Sequence, residues 1–312
     1  MAARVKPGLA TSMIVCVFIA SVASLGRWVH LPYLLFPELA ALAYGVMTSP
    51  DGDWARARGH LFITPVIAAF IGTILSRYLG FGFGQICLSL ATTVLCLSWL
   101  RSPIIPAISA GLLPVVLEIR TFDYPFAVGA AILMLIALRR LVSKPSEAVA
   151  GRRNAWQAYP RHGLYRYAAF IVSLAAISCL PGWRLILFPP LAVIAFDRLV
   201  LGTDHLWHGQ VPVLFVIGTL NTGIAALLVS GWGATPLTVG ASVAAGIMLL
   251  RAFRSSVAPV LAIGLLPFVT HRGDVQIVAA IGLGLAALSA AAILARRFEP
   301  PQQNAVPVRM TK

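Results

Sequence analysis

The sequence predicts an all-α membrane protein of about twelve transmembrane helices, built as two parallel tandem six-helix repeats with short Pro-broken segments in each. Three observations predict it: the composition, an internal repeat and the distribution of basic residues. Mean hydropathy is +0.88, with 59% apolar and only 11% charged residues, whereas a soluble domain carries about 25% charged residues. The net charge of +14 sits in short breaks between apolar runs, where membrane topology by itself would put it, so no nucleic-acid partner is inferred.

The repeat is read from Arg101-Ser102-Pro103-Ile104-Ile105-Pro106 and the following Ala107 to Pro114, which recur as residues 254 to 267. Arg101, Ser102, Pro106, Gly111 and the run Leu112-Leu113-Pro114 have identical counterparts in Arg254, Ser255, Pro259, Gly264 and Leu265-Leu266-Pro267. Self-similarity at one long period marks a duplicated unit. The repeats are placed at 1–142 and 164–297, with a basic cytoplasmic linker at 143–163 and a Pro-rich tail predicted to be disordered at 298–312.

In chain order, the apolar run Gly8 to Gly26 follows Arg4 and Lys6 and superficially resembles a signal peptide. Its counterpart, Tyr167 to Gly182, is internal, so both are read as first spans. The second segments open with Leu34-Leu35-Phe36-Pro37-Glu38-Leu39-Ala40 and Ile186-Leu187-Phe188-Pro189-Pro190-Leu191-Ala192, with proline expected near a helix start, where its missing N–H costs nothing. Third runs are His60 to Gly80 and Gln210 to Gly231, with Gly72, Gly80 and Gly82 set opposite Gly223, Gly231 and Gly233, and Asn221 opposite Phe70. Fourth runs are Gln85 to Leu100 and Thr235 to Phe253. The repeated Arg-Ser motif opens the fifth segments, and Tyr124 to Leu138 and Val275 to Ala295 are the sixth.

Segments two and five are short for a hydrocarbon core of about 30 Å, so they either cross or re-enter. With six crossings per repeat, every Lys and Arg of the 24 except Arg27, Arg77, Arg120, Arg184 and Arg272 falls on the side of the N-terminus. Re-entrant segments would move Arg56, Arg58, Arg101, Arg198, Arg251 and Arg254 to the other face. The positive-inside rule therefore favours twelve crossings and cytoplasmic termini in a cytoplasmic (inner) membrane, with both repeats in one orientation.

Proline-interrupted backbone at membrane depth is tolerated where it is buried in protein or lines a cavity. If the broken segments meet, free N–H groups and positive helix ends would point at one volume, a geometry that suits a small anion. The candidate solute-binding residues are Arg101, Ser102, Pro106, Ser109, Arg254, Ser255, Pro259 and Asn221. Glu38, an acid in an apolar segment whose counterpart is Pro190, is the candidate coupling group. The alternatives are a carboxylate at a first helical turn for Glu38, an interhelical hydrogen bond for Asn221 and inside-facing anchors for Arg101 and Arg254.

Cys16, Cys87, Cys96 and Cys179 lie in apolar runs without metal-ligand spacing. The cluster Asp204-His205-Leu206-Trp207-His208 is a weak metal candidate, and neither a metal nor another cofactor is expected. Nucleotide-binding glycine loops, HExxH and GxSxG are absent from the sequence, so an ATP-driven pump is not expected, and few acids or histidines lie within the spans, so an enzyme is not expected either.

The Phe36-Pro37-Glu38-Leu39-Ala40 and Phe188-Pro189-Pro190-Leu191-Ala192 segments, Gly59-His60, and the Arg101-Ser102-Pro103 and Arg254-Ser255-Ser256 motifs resemble the HPP family of membrane proteins. Ser102 and Ser255 stand where the hallmark histidine of that family would fall, and the chain has two copies where the family typically has one. The resemblance implies transport of a small inorganic anion such as nitrite or nitrate. The partners expected are the lipid bilayer and a small solute, with a homo-oligomer also compatible. The competing classes are a non-transporting scaffold or assembly subunit and an intramembrane enzyme.

Overall fold

A computed structural model describes residues 8–142, 159–202 and 211–297. Most of the linker, the Asp204 to His208 cluster and the tail lie outside the described residues. Among those residues there are thirteen α-helices and no strand. The first half holds α1 (Leu9–Trp28), α2 (Glu38–Thr48), α3 (Asp53–Arg56), α4 (Arg58–Leu79), α5 (Phe83–Leu100), α6 (Ala107–Leu117) and α7 (Asp123–Val142). The second holds α8 (Arg161–Ser178), α9 (Pro189–Leu199), α10 (Val211–Trp232), α11 (Pro236–Ala252), α12 (Pro259–Thr270) and α13 (Val275–Arg297).

Six of these, α1, α4, α5, α7, α10 and α13, are long and apolar enough to cross a membrane, and the chain is a multi-pass helical membrane protein. The other segments are shorter or more polar. α8 begins earlier than the apolar run predicts and takes Arg161 and Arg166 into its first turns. Helices α2, α6, α9 and α12 have 11, 11, 11 and 12 residues, a length of about 16–18 Å each.

Length and burial sort the helices into two layers. From Ala107 to Val116 every residue of α6 is buried, as is every residue of α12 from Val260 to Phe268. A helix that is apolar all round belongs inside. The long helices surround this inner layer and turn Met13, Val17, Leu95, Leu133, Leu227 and Leu283 outward, the side chains a lipid-facing surface requires. Between layers the backbones approach closely: a Cβ on Gly72 of α4 would strike the Gly111 carbonyl of α6, the small-residue contact expected of membrane helices.

Polar contacts mark the two ends of the bundle. At one, Arg251 donates to the Gly8 carbonyl at 3.2 Å and to Ser12 Oγ at 2.8 Å, and Arg139 donates to the carbonyls of Pro50, at 2.8 Å, and Ala55. At the other, Arg27 donates to Ala234 O at 3.4 Å, Arg77 to Arg120 O at 3.4 Å and Gln276 to Gly182 O at 3.0 Å. The path from Leu31 through a 3-10 turn (Pro32–Leu34) and α2 to Pro50 therefore joins one end to the other. So does the path from Arg101 through α6 to Arg120. Exposed Trp28, Tyr78 and Trp232 ring one end, while Trp99 and Tyr165 ring the other, the positions of aromatic belts at membrane interfaces.

Some local geometries occur at similar places in the two halves. Helices α4 and α10 have 22 residues each and are followed by glycines of positive φ, Gly80 at 74° and Gly233 at 71°. Gly80 and Gly233 are separated in the chain by the same offset as Arg101 and Arg254. A glycine that ends a helix in the left-handed region is a stronger marker than a helical glycine, which any small residue replaces. Arg101 and Arg254 share φ 51°, and Glu118 and His271 have φ 54° and 52°. In each case the next N–H reaches back five residues, as Ser102 to Leu97 O and Ser255 to Leu250 O. These are Schellman ends built on non-glycine residues.

Not every proline breaks its helix. Pro106 and Pro259 stand at helix starts, but Pro114 lies within α6 and Pro267 within α12. An interior proline removes one N–H, and the carbonyl four residues earlier needs another donor. For Pro114 that carbonyl is Ala110, and the Tyr124 hydroxyl donates to it at 3.1 Å.

Candidate functional site

The half-length helices begin inside the bundle. Helix α2 starts at Glu38 and ends towards Pro50, while α6 starts at Ala107 and ends towards Arg120, at the opposite end. Their first residues therefore lie about 12–16 Å from opposite ends of a core of about 30 Å, near mid-depth. Ser109, on the first turn of α6, donates its hydroxyl to Glu38 Oε1. Both side chains are closed to solvent, Glu38 at 2% and Ser109 at 0% exposure. Glu38 Oε2 is buried without a hydrogen-bond partner.

Tyr124 of α7 backs this pair. Its hydroxyl is committed to Ala110 O, next to Ser109, and its ring meets Tyr33 edge to face at 5.9 Å. Across the seam between the halves, α2 packs on α12 and α6 on α9.

Several first-turn N–H groups are already taken, which narrows the sequence-based expectation of free donors. Ala107, Ile108 and Ser109 donate to Ile104, Ile105 and Pro106, Leu39 to Phe36, Leu191 to Phe188, and Val260 and Leu261 to Val257 and Ala258. The residues before each helix curl into a tight turn and supply these carbonyls, and Pro189, Pro190 and Pro259 have no N–H to offer. What remains for a ligand is the positive end of each helix dipole and the Ser109 hydroxyl.

Of the candidate residues, the structure brings Glu38 and Ser109 together. Pro106 caps α6 immediately before them, and Pro259 opens α12. Asn221 Nδ2 donates to Val260 O at 2.9 Å, the interhelical bond weighed above, and leaves Oδ1 buried without a partner. Ser102 accepts from Thr64 Oγ1 at 2.8 Å and from the Ile104 N–H at 3.2 Å, so its oxygen is occupied. Ser255 is buried. Arg101 and Arg254 are exposed at the bundle end and end α5 and α11, where a cation complements the helix dipole.

The sequence reading missed Tyr124, Ser89 and Ser242. Ser89 Oγ donates to Gly111 O at 2.8 Å and Ser242 Oγ to Gly264 O at 3.1 Å. Their signal was legible, since Ser89 and Ser242 recur at the spacing of the repeated motif. Tyr124 had none, because Ile277 stands at that spacing from it. No ionisable cluster of metal-ligating character occurs among the described residues.

The chain is thus a multi-pass helical membrane protein whose inner layer contains half-length helices, two of which, α2 and α6, meet at the buried Glu38–Ser109 contact. No family model, curated protein or solved structure matches it.

Proposed function

We propose that this chain is a membrane transporter for a small solute, and that the solute is an inorganic anion of the size of nitrite or nitrate. The observation that carries the reading is the Glu38–Ser109 contact, in which the starts of α2 and α6 meet at mid-depth. Broken helices whose ends converge there are the usual construction of a transport site, with alternating access on either side. An unpaired acid in such a place is a coupling group by default. The resemblance to the HPP family supports the same solute class.

The two halves are read as tandem copies of one orientation, each crossing six times, with the short helices completing crossings through their extended leaders. Matching φ values at Arg101 and Arg254, and at Glu118 and His271, support the duplication. The excess of arginine at the bundle end that carries Arg56, Arg58, Arg101, Arg139, Arg140, Arg251 and Arg254 supports a cytoplasmic location for that end.

The experiment is uptake of nitrite, nitrate, formate and chloride into proteoliposomes, with and without a pH gradient. Saturable uptake of one of them above empty liposomes is expected. Uptake indistinguishable from empty liposomes for all four would sink the anion reading and favour a scaffold subunit.

A further inference from the structure

We propose that Glu38 is a tethered anion: its carboxylate occupies the position a transported anion would take at the starts of α2 and α6, and protonation of Glu38 vacates that position. This rests on the transport reading above and specifies how its site is regulated. Three observations carry it. Glu38 is the first residue of α2, so its carboxylate sits at the positive end of that helix. It also takes the Ser109 hydroxyl on the first turn of α6, so one carboxylate spans both helix starts. Its second oxygen is buried and unpartnered. A carboxylate built in as a permanent part of the core would have both oxygens satisfied. The proton is the ligand that the free oxygen lacks.

Charge sets the direction of coupling. Each helix start carries roughly +0.5 of an elementary charge, so two of them are balanced by one ionised carboxylate. A proton on Glu38 removes that balance and leaves two positive ends and a hydroxyl donor for an anion. An anion beside ionised Glu38 is repelled at low dielectric. Anion and proton therefore bind together.

The surroundings contain no competing switch. Helices α6 and α12 carry no ionisable side chain. Helix α7 offers Tyr124, committed to Ala110 O, and the solvent-exposed Asp123 at its first residue, and the 3-10 turn offers Tyr33. On α1 the groups are Cys16 and the end-lying Arg27, while Asp53 and Arg56 of α3 and Arg139 of α7 lie beyond the far end of α2. The equivalent place in the second half holds Pro190 and Ala262, so the device belongs to the first half alone.

The test measures two things on the purified full-length chain, thermal stabilisation by nitrate, nitrite or chloride and proteoliposome flux of the same anions, at several pH values. Wild type, Glu38→Gln and Ser109→Ala are compared. For wild type, apparent anion affinity is expected to rise about tenfold per unit fall in pH while Glu38 is ionised, as one linked proton requires. Glu38→Gln, neutral at every pH, should bind anion with little pH dependence and let it pass without proton accumulation. Ser109→Ala, which copies the second half, should weaken anion binding at acid pH.

Wild-type affinity that is flat with pH overturns the proposal even if no variant folds. So does a folded Glu38→Gln protein that keeps the wild-type pH dependence, or that no longer binds anion. Binding that follows the proposal in a protein that moves no anion upholds the tethered anion and sinks transport. Absence of binding by all three anions to wild type and to folded Glu38→Gln overturns both.

Discussion

The Tyr124 hydroxyl and the Ala110 carbonyl, 3.1 Å apart, form the hydrogen bond that replaces the one Pro114 cannot make. A helix through the centre of a membrane protein has no water to satisfy a freed carbonyl, so the partner must be a side chain from a neighbouring helix. The same bond anchors the start of α7 beside the Glu38–Ser109 pair.

Removing that donor strands a buried carbonyl. Tyr124→Phe is expected to destabilise the protein by about 1–3 kcal/mol. In a Pro114→Ala background the helical N–H returns, and Tyr124→Phe should cost distinctly less. Equilibrium unfolding of the four proteins of this double-mutant cycle measures the difference, and equal costs in both backgrounds would refute the pairing.

Close approach of α4 and α6 gives a second expectation. Gly72→Ala puts a methyl group against the Gly111 carbonyl, which is backbone and cannot swing aside. A loss of about 1–3 kcal/mol is expected from such overpacking. Gly223→Ala, on α10, meets open space and is expected to be neutral or slightly stabilising. Thermal unfolding of both variants in one detergent separates the two outcomes.

The halves also meet where α5 packs on α8. Cys87, near the start of α5, and Cys179, just after the end of α8, are free cysteines at the same end of this helix pair. A short thiol-reactive cross-linker should join them in intact membranes, and the product should vanish in Cys87→Ser while persisting in Cys16→Ser and Cys96→Ser. A product unaffected by Cys87→Ser would place the halves differently.

At the end opposite the arginine cluster, Arg184 pairs with Glu118 at 3.3 Å and its guanidinium lies 3.8 Å over the Phe81 ring. Both ion-pair side chains are more than a third exposed, so solvent screens the pair and Glu118→Gln should cost less than about 1 kcal/mol. Arg184→Ala removes the ring contact as well and should cost more. Comparing melting temperatures at low and high salt checks this, since salt should diminish only the ion-pair part.

By itself, the sequence determined what local rules can decide. Hydropathy and run length predict the membrane-crossing helices, and Pro37, Pro189 and Pro259 mark helix starts because a missing N–H is free of cost there. The Arg-Ser recurrence located matching helix ends. Glycines within a helix carry no conformational demand, whereas the positive φ of Gly80 and Gly233 does. Tertiary structure alone decided which ends meet. Glu38 and Ser109 are 71 residues apart in the chain, and no periodicity links them. Pairing at that distance is set by how short buried helices pack within a ring of long ones. The same packing leaves one oxygen of the buried Glu38 carboxylate without a partner.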